Sequence, residues 1–375
     1  MTISLAKLFS LLIGLASSAA CSGLAVRGSV GGQTIATRVD SEVARYYLAN
    51  YLAGRRVNPT LDERFDRLYP RGVNGLPGRV ELKRLSDDFS VDFGALYLAD
   101  RIAHLNDDRS FRTAFDRARE AVRNAHSSEP VRSASATAEY EVLLVPTYLY
   151  KRLPVTGADL AVPRAALQRF GFTCHFVETV EDGAIETNAT IVAAAIKSRA
   201  TSGRRLILIS ASKSGPEIAL ALTSLGDFET RHVAAWINTV GALQGTPLAD
   251  ERLLPEIEDL IGPVDKAGMG SLTTERSRQR FAALRIPAHV LIVNYFGIPL
   301  SGSISSWANA GFGPLRRYGP NDGILLLSDM IFPGGLTVAE LGLDHFLLDR
   351  HIDIATVALT TTVIGWIEQR RGENN

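Results

Sequence analysis

The sequence predicts an α/β architecture: a mostly parallel, buried central sheet with helices on both faces, preceded by a helical N-terminal region. Two observations predict it. From residue 139 onward, short β-favouring apolar runs at 140–145, 172–177, 206–209, 233–237 and 289–295 alternate with helix-like stretches. Strands separated by helices of this length imply right-handed crossovers and a parallel sheet. Between 39 and 127, by contrast, apolar residues recur every three or four positions, the period of a helix.

The first twenty residues stand apart. Lys7 precedes an apolar run from Leu8 to Ala16, and small residues continue through Ala20. A basic start, a short apolar stretch and small residues before a cut describe a secretory signal over residues 1–20, and the stretch is short for a membrane span. Cys21 follows Ser18-Ala19-Ala20. That resembles a bacterial lipoprotein box, with Ser18 where a larger aliphatic residue is usual. Two outcomes stay open: lipidation of Cys21 with membrane association, or ordinary cleavage. Both imply an exported protein, periplasmic, secreted or an outer-membrane lipoprotein. Cys174 is the other cysteine, either a disulfide partner or a buried small hydrophobe.

Residues 21–38 are small, polar and glycine-rich and read as a flexible lead-in. The helical region spans 39–138, packed on or over the main domain. Thr60-Leu61-Asp62-Glu63 matches a capping box followed by Phe65 and Leu68. Phe89, Phe93 and Leu96, then Phe111, Phe115, Ala118 and Val122, form two apolar stripes. The main domain covers 139–375. Within it, helices are expected over 160–170, from Thr187 or Asn188 through Ile196, over Glu217–Leu225, and from Thr356 to Gln369. The polar stretch 245–285 interrupts this rhythm, with Leu253, Leu254, Ile257, Leu260 and Ile261 on one helical stripe. It is either a cap or an ordinary surface crossover.

Lys and Arg number 40 against 40 Asp and Glu, dispersed along the chain, which gives no footprint for nucleic acid. No histidine–carboxylate cluster or phosphate-cradling glycine loop appears, so no cofactor or metal is expected. The sequence does not set the oligomeric state.

The chemistry concentrates in Leu206-Ile-Leu-Ile-Ser-Ala-Ser212-Lys-Ser-Gly-Pro-Glu217, where a strand runs into a helix. A nucleophile on a strained strand-to-helix turn tolerates little bulk two residues to either side. Ser210 and Ser214 meet that requirement where glycine is usual, and Gly215 relieves crowding beyond. A serine hydroxyl needs a base, and the base needs a carboxylate to fix its tautomer. Of seven histidines, His345 lies in a loop before the last helix; His351 is the alternative, and His175, His232 and His289 suit packing roles. The acid is assigned to Asp322 in Pro320-Asn-Asp-Gly, with Asp329 as rival and Asp344 less suitably placed. An oxyanion needs backbone donors. Lys213 would supply one, and Thr147 or Tyr148 after Pro146 the second, with the Thr147 hydroxyl as an added donor.

Residues 140–369 resemble the lipase and esterase branch of the α/β-hydrolase superfamily, particularly bacterial triacylglycerol-lipase-like proteins. The resemblance rests on Val145-Pro146, the turn around Ser212, Gly245-Thr-Pro-Leu-Ala-Asp250, Asn321-Asp322-Gly323 and Asp344-His345. It implies the α/β-hydrolase fold, Asp322 as the acid, and Thr246 and Pro247 beside the substrate pocket. Ile298, Leu300, Ile304 and Trp307 would supply apolar pocket wall, if not merely a hydrophobic surface loop. The function so implied is a serine hydrolase cleaving small-molecule or lipid carboxylic esters. An amidase, thioesterase or acyltransferase could use the same site, and a non-catalytic envelope binding protein is the alternative from another class.

Overall fold

A computed structural model describes residues 23–69, 75–126, 136–250, 263, 265–347 and 351–373. The signal segment, Cys21 and the apolar stripe from Leu253 to Ile261 lie outside these. The chain divides into two compact units. One comprises residues up to 109 with 296–329 and 339–347; the other comprises 110–295, 330–338 and 348 onward.

In chain order the strands are β1 (Leu24–Val30), β2 (Gln33–Val39), β3 (Tyr140–Val145), β4 (Thr173–Phe176), β5 (Arg205–Ala211), β6 (Val233–Thr239), β7 (Leu291–Ile298) and β8 (Leu336–Leu341). The last six form one sheet in the order β4-β3-β5-β6-β7-β8. β4 and β5 flank β3 in parallel, and β5–β6 and β6–β7 are parallel as well. The central strands are apolar because they are covered: every residue of β3 and Leu206–Ala211 of β5 are buried, whereas the edge strand β4 is not.

In the second unit, the helix Ile185–Arg199 packs on Ser214–Thr230, and Ala161–Arg169 packs on Ile352–Glu373. Leu143, Val192, Ile196, Leu208, Ile218, Leu222 and Trp236 meet in one core cluster. Each such aliphatic side chain withdrawn from water contributes roughly 1.5–3 kcal/mol. The stripe on Asn106–His126 is also satisfied here, with Phe111 edge-on to Trp366 at 5.3 Å and Phe115 to Tyr295 at 6.1 Å. The helix expected from Thr187 starts earlier, at Ile185, after an extended Ala184 without a side-chain cap. Asn188 is instead buried, its amide bonded to Val180 and Glu217.

The first unit corrects two expectations. Residues 24–39, expected in a flexible lead-in, form the antiparallel hairpin β1–β2. Gly31 and Gly32 join the strands at φ +54° and +82°, the paired left-handed turn that a two-residue hairpin loop requires. The cap expected at Thr60 lies at Asn58, whose side chain accepts the Leu61 N–H, because Pro59 fixes the first helical residue and needs no donor there. Helices Pro59–Asp66, Arg79–Asp88 and Val91–His104 follow. Phe65, Phe89 and Phe93 stack at centroid distances of 4.4 to 5.7 Å and, with Tyr47, form an aromatic core. Among the described residues, no helix is long and apolar enough to cross a membrane.

Candidate active site

In the second unit, β5 ends at Ala211 and the helix begins at Ser214, leaving two residues to reverse the chain. Ser212 makes the reversal at φ +52°, a conformation that costs a side-chain-bearing residue on the order of 1 kcal/mol. Backbone bonds hold it there: Ser212 N–H to Thr239 O at 2.9 Å, and Gly215 and Ala242 N–H to Ser212 O at 3.0 Å each. It is the one residue from Leu206 to Ala219 that is not buried.

The serines that replace the usual glycines have partners. Ser214 Oγ accepts the Ala211 N–H at 2.8 Å and lies 2.8 Å from Val145 O, tying the turn to the end of β3. Ser210 Oγ accepts the Trp236 indole N–H at 2.9 Å. Gly215 is required: a Cβ there would stand 2.8 Å from Asn238 Oδ1 and 2.9 Å from Gly241 Cα.

Beneath the turn, Lys213 and Glu217 form an ion pair, each side chain 2% exposed. Asn188 donates to the same Glu217 oxygen at 2.8 Å. Burial pushes the Glu217 carboxyl up, with the Lys213 ammonium pulling the other way.

The residues expected to supply oxyanion donors make the following contacts. The Thr147 N–H donates to Ala158 O at 3.0 Å, so it is already engaged. Its hydroxyl oxygen accepts the Lys213 N–H at 3.1 Å. A hydroxyl has one hydrogen and two lone pairs, so Thr147 can accept from Lys213 and still donate. The Tyr148 ring carries a buried hydroxyl without a hydrogen-bond partner among the described residues, and burial pushes its pKa up to about 12.

In the first unit, Asp322 and His345 are joined. His345 Nδ1 lies 2.7 Å from Asp322 Oδ2, and the His345 N–H donates to Asp322 O at 3.0 Å. Asp322 Oδ1 accepts the N–H groups of Ile324 and Leu325 at 2.9 and 2.7 Å. The carboxylate is fully buried and saturated on one oxygen, leaving the other for the imidazole. With Nδ1–H donated to the carboxylate, Nε2 is the nitrogen that can accept a proton. Gly323 adopts φ +94°, and a Cβ there would meet Ala308 at 2.6 Å.

Asp329, the rival acid, is paired with Arg79 at 3.2 Å. Asp344 accepts the Ser305 N–H at 2.7 Å and the Phe346 N–H at 3.1 Å, which shapes the turn carrying His345. His351 is exposed at the foot of the last helix, and its carbonyl accepts the Ala355 N–H. His175 pairs with Glu141 at 2.9 Å, while His232 and His289 contact the carbonyls of Ile196 and Thr230.

Of the residues expected at a pocket, Leu300 is fully buried in the first unit. Trp307 is half-buried, 6.1 Å from Phe346, whose ring stands edge-on to His345 at 5.7 Å. Thr246 and Pro247 are buried in the second unit. Cys174 is half-buried, its thiol pushed up to about 11 by burial, a packing residue in chemical character. Sequence reasoning missed Phe346, Arg79 and Asp92. The ring beside the histidine was readable as His345-Phe346; the other two act through residues more than 200 positions away.

Solved structures share this topology. A metagenomic carboxyl esterase, MGS0156, superposes with a TM-score of 0.52 at 19% identity, over 64% of this chain and 78% of that one. The mature Bacillus licheniformis lipase BlEst2 gives 0.50 at 20% identity, over 64% and 96%. The fold is that of the α/β-hydrolases. No protein-family model matches the chain, and no curated protein matches it by sequence.

Proposed function

We propose that this α/β-hydrolase-like protein is a serine hydrolase of carboxylic esters, with Ser212 as nucleophile, His345 as base and Asp322 orienting the base. The observation that carries the reading is the backbone of Ser212: a non-glycine residue at positive φ, the one unburied residue between Leu206 and Ala219. Strain of this kind presents a nucleophile's oxygen above the sheet. The hydrogen-bonded Asp322–His345 pair supplies the complementary chemistry.

In the proposed reaction His345 Nε2 takes the Ser212 proton as Oγ attacks the ester carbonyl. The proton then passes to the leaving alcohol, and water releases the acyl group by the same route. The Thr147 hydroxyl, backed by the Lys213 N–H, donates to the oxyanion. Trp307 and Phe346 favour an apolar substrate group beside the histidine. Two proteins of similar fold, the carboxyl esterase and the lipase named above, agree with this chemistry without deciding it. Export through residues 1–20, with Cys21 either lipidated or left as an unmodified cysteine after ordinary cleavage, belongs to the same proposal, and the mass of the purified N-terminus distinguishes the two.

The test is labelling by a fluorophosphonate probe of the wild type, Ser212→Ala and His345→Ala. Labelling of the wild type alone is the expected result. A folded wild type that stays unlabelled by short-chain probes, with and without detergent, would sink the proposal in favour of a non-catalytic binding protein. Parallel assays with ester, amide and thioester versions of one acyl group then rank the leaving group.

A further inference from the structure

The region outside the resemblance, residues 23–104, touches the supports of both the acid and the base, and one helix does so with its first turn. Asp92, second residue of the helix Val91–His104, is wholly buried. Its Oδ1 accepts the N–H and the hydroxyl of Ser301, both at 3.0 Å, and its Oδ2 accepts the Asp40 N–H at 2.8 Å. Ser301 opens a short strap that ends at Ser305, whose N–H is bound by Asp344 beside His345. Two residues further along the same helix, Gly94 faces Pro320. A Cβ on Gly94 would stand 2.9 Å from Pro320 Cγ, closer than real Cβ contacts allow, and 3.0 Å from Ser86 Oγ, a side-chain end that can rotate aside where the proline ring cannot. Pro320 opens the turn that carries Asp322, and its carbonyl is held by the Leu327 N–H at 3.0 Å. Around this helix turn, Arg79 binds Asp329, Arg316 binds Asp40 at 2.8 Å, and Gly302 donates to Arg38 O at 2.9 Å.

We infer that the first turn of the helix Val91–His104 is the positioning element for the Asp322–His345 pair, Gly94 setting the acid's turn through Pro320 and Asp92 setting the base's turn through the strap 301–305. The N-terminal region is then part of the catalytic apparatus, through residues that touch no reacting atom. The inference rests on the reading of Asp322 and His345 as acid and base. A misplacement of about 1 Å in such a pair costs on the order of 100-fold in rate.

The experiment reads the hydrogen bond itself as well as turnover. In the full-length protein, the Nδ1 proton of His345 held by Asp322 gives a low-field imidazole resonance, assigned by its loss in His345→Gln. Gly94→Ala is expected to abolish or broaden that resonance and to lower kcat on a soluble ester by roughly 100-fold with KM within about twofold. Pro320→Ala, introduced into Gly94→Ala, removes the colliding Cγ and is expected to bring both back. Asp92→Asn provides a second perturbation, through the strap, if Gly94→Ala folds poorly. An unchanged resonance in a folded Gly94→Ala, no rescue by Pro320→Ala, or no such resonance in the wild type would each overturn the inference. A wild type that shows the resonance and its rescue yet hydrolyses nothing would leave the positioning intact and remove the esterase reading alone.

Discussion

The hydroxyl oxygen of Thr147 accepts the backbone N–H of Lys213, 66 residues further along the chain, at 3.1 Å. On the proposed reading, the Lys213 N–H acts on the oxyanion through the Thr147 hydroxyl. Thr147→Val keeps the shape and deletes the hydroxyl. It should lower kcat by roughly 10²–10³, the usual worth of one oxyanion donor, while Thr147→Ser retains most activity. Equal kcat in Thr147→Val and wild type would remove the side chain from the oxyanion site.

The Lys213–Glu217 pair is sealed beneath the nucleophile's turn. Removing one partner strands a buried charge, so Lys213→Met should destabilise the protein by about 3–5 kcal/mol in urea unfolding. Lys213→Met combined with Glu217→Leu should recover most of that loss, because neither charge is then left alone. The two single losses simply adding would contradict this account.

Asp322 and Asp329 should separate cleanly. Asp322→Asn deprives His345 of its orienting carboxylate and should cost about 10⁴ in kcat. Asp329→Asn weakens the pairing with Arg79 without touching the Asp322–His345 bond, and should cost less than about tenfold. The reverse order would reassign the acid.

Burial, with the neighbouring Asp40 carboxylate adding to it, pushes the Asp92 carboxyl up to about 7. Arg316 faces the pair through Asp40. A carboxyl raised in the folded state binds its proton more tightly there than in the unfolded chain. Its contribution is therefore complete below the ordinary carboxylate range near pH 4 and is lost as pH rises through about 7. Across that window the stability of the wild type should fall relative to Asp92→Asn, with a limiting slope of roughly 1.4 kcal/mol per pH unit. A difference that does not change between pH 5 and 8 would show that Asp92 is ionised throughout.

The sheet was legible because its strands are buried on both sides, and a run such as Leu206-Ile-Leu-Ile admits few other environments. The turn at Ser212 was legible for a local reason too: small residues at 210, 214 and 215 mark crowded backbone. Asn321-Asp-Gly and the histidine 23 residues later stand out singly, but the bond between them is a fact of the fold. The hairpin at 24–39 was misread because glycine-rich composition hid a two-glycine turn between strands only weakly buried. Glycine there supplies a conformation, not freedom. The roles of Asp92, Gly94 and Arg79 were out of reach, since their meaning lies in Ser301, Pro320 and Asp329, which no periodicity connects to them.

The long sequence separations inside the first unit bear on the order in which this protein matures. Arg79 and Asp329 are 250 residues apart, Asp92 and Ser301 209, and the Gln33 side chain bonds Ala339 O across 306. The bond from Ser214 to Val145 spans only 69. Near-neighbour structure such as the nucleophile's turn can form while the ribosome is still at work; the acid–base pair has to wait for segments 296–347 to return to a module made first. On the proposed reading, a growing or truncated chain would present Ser212 without His345, and any hydrolytic competence would wait for the segments 296–329 and 339–347.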